Sequence, residues 1–280
     1  MSQFPSPVAA TIFDPASFTT QPSIASSVVD LSQPTRSELI DTLRFIDLTT
    51  LAGDDSSERV LSLAKKALDG FAGEHVAAVC VYPVFVPDAK SVLNGSGVAV
   101  ATVAAAFPHG LSPLSTRIAE VSASRELGAD EIDIVIRRSH ALEGNWEALF
   151  DEVAAFKQAA GSSHLKSILA TGELGDPTTI YRASIAAIMA GSDFIKTSTG
   201  KESVNATLEA AAAMLSAIRD WREGTGHTVG FKAAGGIRSA SQAVAYQRLA
   251  AEILGEAYLT PLTFRLGASS LLDDVCSILG

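Results

Sequence analysis

The chain is poor in the features around which many specialised proteins are built. Its 280 residues hold only two cysteines, Cys80 and Cys276, both in apolar contexts, so they read as buried, reduced thiols and no disulfide framework is expected. Aromatic residues make up 6%, so a core has to be assembled from Ala, Val, Leu and Ile, which the 47% hydrophobic content permits. Positive charge is scarce as well. A formal net charge of −10 argues against a nucleic-acid partner or an anionic membrane surface. No apolar run approaches the roughly 20 residues of a membrane span. The start, MSQFPSPVAATIFDPASF, carries no basic residue before Arg36 and does not read as a signal peptide. A cytoplasmic enzyme is the expectation. His75, His109, His140, His164 and His227 are scattered, without HxH, HExxH or CxxC pairs, so no metal centre is expected. The G-x-G-x-x-G, Walker A and G-x-S-x-G patterns are also missing, which removes the main support for a nucleotide-binding open sheet or a serine nucleophile.

What is present is a repeat of alternating patterns. Residues 1 to about 36 are rich in Ser, Pro, Ala and Thr without a sustained period, and read as an N-terminal extension, mobile or laid across a surface. From residue 37 to 280, short β-branched runs alternate with longer helical stretches. Strands are predicted at 45–50, 77–83, 98–107, 131–136, 165–171, 193–199, 229–234 and 263–269. Helices are predicted at 57–70, 114–127, 145–160, 178–190, 208–222 and 239–254. In 208–222, Leu208, Ala211, Ala212, Leu215 and Ile218 share a face, Thr207 is the expected N-cap, and Gly224 the expected stop. Eight βα units of similar length suit a closed (β/α)8 TIM barrel, an α/β fold in one domain, with chemistry at the strand C-termini.

Two lysines stand at such ends: Lys196 in DFIKTSTGK and Lys232 in VGFKAAGG. Burying an ammonium is costly, so a lysine kept inside a barrel is drawn toward its neutral form, and only the neutral amine attacks a carbonyl. Adjacent strands lie about 4.8 Å apart, so a second ammonium beside the first would further disfavour protonation. Bringing a lysine from about 10.4 to about 7 takes roughly 4 to 5 kcal/mol. Lys196 is therefore the expected nucleophile and Lys232 the cation that tunes it. Asp133 in EIDIVI, on one face with Glu131 and Val135, is the expected countercharge and proton shuttle. Lys166 in HLKSILAT is a further candidate interior cation.

Three small-residue turns follow the later strands: Thr199-Gly200-Lys201, Gly235-Gly236-Ile237-Arg238 and Gly267-Ala268-Ser269-Ser270. Glycines let backbone N–H groups approach phosphate oxygens, Lys201 and Arg238 add charge, and Ser269-Ser270 would open the final helix. Schiff-base chemistry on a small phosphorylated substrate is the expectation. Schiff-base chemistry on another phosphorylated substrate, or a silent copy that only binds one, are the alternatives.

The segments DLTTL (47–51), AAVCVYP, TVAAAFPHG (102–110), GADEIDIVI (128–136), ATGEL (170–174), GSDFIKTSTGK (191–201), VNAT (204–207), GFKAAGGIRSA (230–240) and FRLGASSLL (264–272) together resemble the deoxyribose-phosphate aldolase family, from about residue 43 onward. The resemblance implies a metal-independent, cofactor-free class I aldolase that splits 2-deoxy-D-ribose 5-phosphate into D-glyceraldehyde 3-phosphate and acetaldehyde. It implies that Lys196 forms the Schiff base, that Lys232 perturbs it and that Asp133 moves protons. Asp47 and Thr49 match substrate-site positions. Thr199, Gly200, Lys201, Gly235, Gly236, Arg238, Gly267, Ser269 and Ser270 match the phosphate region. Family members commonly form homodimers. Three departures stand out. Ala233 replaces a usual proline and is expected to loosen its turn, and Arg137 replaces a small amide where it could alter substrate reach or add an anion contact. The sequence ends at SILG280 without the tyrosine-bearing tail some relatives carry, which puts a tail contribution to proton transfer in doubt.

Overall fold

The computed structural model describes residues 23–280 apart from residue 72. Eight parallel strands close in chain order into a single barrel: β1 (Ile46–Thr49), β2 (Ala78–Val81), β3 (Ala99–Ala104), β4 (Glu131–Val135), β5 (His164–Ile168), β6 (Phe194–Lys196), β7 (Gly230–Ala234) and β8 (Phe264–Ala268). All eight expected strands are found, each shorter than its apolar run. The helices are α1 (Arg36–Phe45), α2 (Ser57–Asp69), α3 (Val86–Leu93), α4 (Leu114–Glu126), α5 (Arg138–Leu142), α6 (Trp146–Ala160), α7 (Thr171–Leu174), α8 (Pro177–Met189), α9 (Leu208–Thr225), α10 (Ala240–Leu254) and α11 (Leu271–Leu279). This is the (β/α)8 architecture.

Helix starts follow their local chemistry. Ser56, Asn145, Asp176, Thr207 and Ser239 each accept a backbone N–H with the side chain at the N-cap. The unforeseen α1 has a full capping box, Thr35 with Glu38, a signal legible in the sequence. Helix α9 runs through Gly224 and stops at Gly226, whose φ of +75° supplies the left-handed turn. It is buried on nearly every side from Ala210 to Ile218. One reason is the described part of the N-terminal segment, which lies over it: Ile24 packs with Tyr181, Ile185 and Ala217, and the Ala25 N–H donates to Ser216 Oγ at 3.0 Å. The rest of the expected extension, residues 1–22, lies outside the described residues.

Strand alternation divides the barrel interior into two halves. Strands β2 and β3 turn Ala78, Cys80, Ala101 and Val103 inward, an apolar cluster of small side chains. Strands β4 to β8 turn in long charged ones, and the small residues opposite leave the volume these need. Phe194 packs beneath the charges, its ring centre 6.0 Å from the Lys166 Nζ and 5.6 Å from the Arg265 guanidinium. That ring requires Gly230 beside it, since a Cβ there would stand 2.3 Å from a ring carbon.

Candidate active site

Seven ionisable side chains meet inside the barrel, each at most 4% exposed: Asp47, Glu131, Asp133, Lys166, Lys196, Lys232 and Arg265. Strand register places Asp133 beside Lys166 and Lys196 beside Lys232. Asp133 is the hub. Its Oδ2 accepts from Lys196 Nζ and from Lys232 Nζ, both at 2.8 Å, and its Oδ1 accepts from Lys166 Nζ at 2.9 Å. Lys232 also donates to Asp47 Oδ2 at 2.5 Å. Lys166 donates to Glu131 and stands 3.7 Å from Asp47 Oδ2. Arg265 closes the network beneath, donating to Asp47 Oδ1 at 2.7 Å and Glu131 Oε1 at 2.8 Å.

Charge counting over this cluster singles out one amine. Three carboxylates face four basic groups, so full protonation would leave an excess positive charge in a core almost closed to solvent. Lys166 has three carboxylates within 4 Å, and Lys232 and Arg265 have two each. Lys196 has only Asp133, which it shares. Burial, joined by the Lys232 ammonium and opposed by the Asp133 carboxylate, holds the Lys196 amine below its ordinary pKa. Burial acts on Lys232 and Lys166 in the same direction, but their carboxylates outweigh it and raise both. For Asp133, burial is overcome by the three lysines, which hold its carboxyl well below the usual range. Desolvation thus lowers Lys196 more than the neighbouring ammonium does.

Above the cluster, at the C-terminal ends of the strands, lies a cavity of about 260 Å³. Lys196 forms part of its wall, together with Thr49, Thr199, Gly200, Lys201, Gly235, Gly236, Arg238, Gly267 and Ser269. Ser270 does not line it. Asp47 and Lys166 lie deeper, fully buried within the ionic cluster, and do not line the cavity. A depression of about 660 Å³ opens at the opposite end of the barrel, between residues such as Glu74, His75, His164 and Leu262. It is the larger hollow, but its buried charges, Glu131 and Arg265, are paired with each other, and it contains no lysine of the cluster.

The turn after β7 is open to the cavity. Gly235 and Gly236 have φ of +84° and +81°, a conformation that suits glycine, and the Gly236 and Ser269 N–H groups have no acceptor among the described residues. The Arg238 guanidinium has no ion-pair partner among them either. The turn after β6 differs from expectation. Its Thr199, Gly200 and Lys201 N–H groups donate to the Glu202 carboxylate at 3.0, 3.1 and 3.2 Å, while Lys201 Nζ donates to the Leu51 carbonyl at 2.8 Å.

Arg137 points away from the cavity, its Nε donating to Ser139 Oγ at 2.9 Å. Its neighbour Arg138 pairs with Glu173 at 2.5 Å and stands 3.6 Å from Glu202. Ala233 lies within β7 rather than in the turn, paired with Leu266. Cys80 is buried inside the barrel as expected, whereas Cys276 is only partly covered. Sequence reasoning passed over Arg265, Glu202 and Arg138. Arg265 was within reach, since alternation puts it on the face of Gly267; Glu202 bonds the N–H groups of its own turn, one to three residues away, while the partners of Arg138 come from other loops. No group of metal-ligating side chains occurs among the described residues, and no helix among them is long and apolar enough to cross a membrane.

A closed parallel barrel whose cluster of buried charges opens to a cavity at the C-terminal strand ends has the architecture of a barrel enzyme. Residues 42–275 match the model of the DeoC/LacD family aldolases, and the chain belongs to that family, among the lyases. It is 52% identical over 252 residues to a deoxyribose-phosphate aldolase of Mus musculus, covering 85% of this chain and 79% of the mouse protein. The Homo sapiens deoxyribose-phosphate aldolase is 51% identical over 251 residues, with the same coverage. A crystal structure of a candidate deoxyribose-phosphate aldolase from Coccidioides immitis superposes with a TM-score of 0.77 at 26% identity, covering 99% of both chains.

Proposed function

We propose that this chain reversibly cleaves 2-deoxy-D-ribose 5-phosphate to D-glyceraldehyde 3-phosphate and acetaldehyde through a Schiff base on Lys196, without metal or cofactor. The observation that carries the proposal is the charge imbalance around Asp133: of four interior basic groups, Lys196 is the least compensated and the one that lines the cavity. Its neutral amine attacks the C1 aldehyde of the open-chain sugar, and loss of water gives an iminium. A base removes the proton from the C3 hydroxyl, the C2–C3 bond breaks, and its electron pair moves into the iminium to give an enamine as glyceraldehyde 3-phosphate departs. Protonation at C2 and hydrolysis then release acetaldehyde and the free amine. Asp133, 2.8 Å from Lys196 Nζ, is positioned to move protons in the carbinolamine and enamine steps, directly or through water.

Lys232 holds Asp133 from the far side and keeps positive charge beside the nucleophile. Arg238, the open N–H groups of the Gly235-Gly236 turn and Ser269 hold the phosphate at the cavity rim. Such an activity places the enzyme in the breakdown of deoxynucleosides in the cytoplasm. The names of the mouse and human relatives support the choice of substrate over other sugar phosphates. The test is borohydride reduction in the presence of acetaldehyde, followed by peptide mapping. An ethyl adduct on Lys196 is expected, and its absence there would defeat the mechanism.

A further inference from the structure

The three turns that face the cavity present two different chemistries. The Gly235-Gly236 and Ser269 turns offer backbone N–H groups without an acceptor among the described residues. The Thr199-Gly200-Lys201 turn has the form of an anion nest, three successive N–H groups converging with Gly200 at φ +83°, but that nest is filled from within. Glu202 Oε2 accepts from all three N–H groups, at 3.1, 3.1 and 3.2 Å, and Oε1 accepts again from Thr199. The Glu202 side chain is 2% exposed, and Arg138 Nη2 stands 3.6 Å behind it. Arg138 is itself fixed by donating to the His109 and Pro108 carbonyls at 2.8 and 3.0 Å. The closer carboxylate to Arg138 is Glu173, 2.5 Å from its Nε, so Glu202 is held chiefly by its own turn, with the guanidinium as a nearby countercharge.

We infer that Glu202 is a specificity-determining residue: a built-in anion that closes the nest after β6 and confines the substrate phosphate to the Gly236, Arg238 and Ser269 side of the cavity. The inference rests on the proposal above that the cavity takes a phosphorylated sugar. Each N–H has one hydrogen to donate, and here all three are already committed: those of Thr199 and Gly200 to the charged Glu202, the strongest class of such bonds, and that of Lys201 shared between Glu202 and Thr199 Oγ1 at 3.1 Å. A phosphate brought to the same turn would have to displace Glu202 or sit against its negative charge. With one wall closed, the phosphate has a single register relative to Lys196, and free inorganic phosphate loses a second place to bind.

The test compares wild type with Glu202→Ala and Glu202→Gln, measuring inhibition by inorganic phosphate, KM for 2-deoxyribose 5-phosphate and for 2-deoxyribose, and borohydride trapping of acetaldehyde. Opening the nest in Glu202→Ala should tighten the inhibition constant of phosphate about tenfold, in line with freed N–H donors to a charged acceptor. The KM for unphosphorylated 2-deoxyribose and the trapping yield at Lys196 should stay near wild type. Glu202→Gln keeps an uncharged oxygen in the nest and serves if the alanine variant fails to fold; here phosphate should bind about threefold tighter, from loss of the like charge alone. Phosphate binding unchanged or weakened in the folded variant overturns the inference, because a merely structural Glu202 would weaken both sugars alike. Failure of trapping in the wild type would overturn the proposed chemistry itself, and the two failures are read separately.

Discussion

Lys196 and Lys232, paired across β6 and β7, share a single oxygen: the amine of each stands 2.8 Å from Asp133 Oδ2. The two are not equivalent, however. Lys232 has Asp47 as a second carboxylate at 2.5 Å, and Lys196 has none. One lysine is thereby kept charged and the other is left short of countercharge, although both stand at the same level of adjacent strands.

Replacing Lys196 by Leu should abolish turnover and borohydride trapping while leaving the fold intact. It removes the excess basic group, so Asp133 keeps Lys166 and Lys232 and no buried charge loses its last partner. Thermal melting should be unchanged or raised, since a well-packed apolar side chain in place of a buried charge is often neutral or better. A variant that still cleaved the sugar would exclude Lys196 as the nucleophile.

Lys232→Leu should fold but react slowly at neutral pH. Without its ammonium, the Asp133 and Asp47 carboxylates act more strongly on Lys196, which then holds its proton to higher pH. The neutral fraction falls tenfold for each step of one in pKa, so a loss of about 100-fold in kcat at pH 7 is expected. Partial recovery at alkaline pH is the signature to seek. The pH–rate profile of kcat should shift upward relative to wild type, whose rising limb lies below the ordinary lysine range.

Acid should unfold the protein through its interior carboxylates. Asp47, Glu131 and Asp133 are each lowered in the fold by the surrounding cations, which overcome burial. Their contribution is present above the unfolded pKa values of about 4 and is lost as pH falls through the folded ones. Asp133→Asn removes the hub and should cost about 3 to 5 kcal/mol in urea unfolding at pH 7, because three lysines lose a buried partner. The same variant should show a shallower dependence of stability on pH between about 5 and 2. An unchanged slope would show that the carboxylate is not ionised in the fold.

Arg238→Ala should separate phosphorylated from unphosphorylated substrate. The guanidinium lines the cavity and has no ion-pair partner to lose among the described residues. KM for 2-deoxyribose 5-phosphate should rise about 10- to 100-fold, the worth of hydrogen bonds to a charged group. Activity on 2-deoxyribose should stay within about twofold, there being no anion for Arg238 to hold. Equal losses on both sugars would remove Arg238 from the phosphate site.

The periodicity of the sequence, read alone, was sufficient for the barrel and for the inward faces of Lys196, Lys232 and Asp133, because strand alternation is local and survives any tertiary arrangement. Capping chemistry was equally local: Thr207 was read correctly and the Thr35–Glu38 box was legible though unread, while the helix stop moved from Gly224 to Gly226, a matter of backbone φ. Only the tertiary structure decided where long side chains end. Arg265 reaches Glu131 across the barrel from 134 residues away, Lys166 and Asp47 sit beneath the cavity instead of in it, and Arg138 rather than Arg137 stands near Glu202. The filling of the Thr199–Lys201 nest by Glu202 was likewise invisible beforehand, since sequence shows a glycine turn but not whether its N–H groups are already taken. Alternation assigns a residue to a face. The partner of its charged tip depends on distances between chain segments that meet only once the barrel has closed.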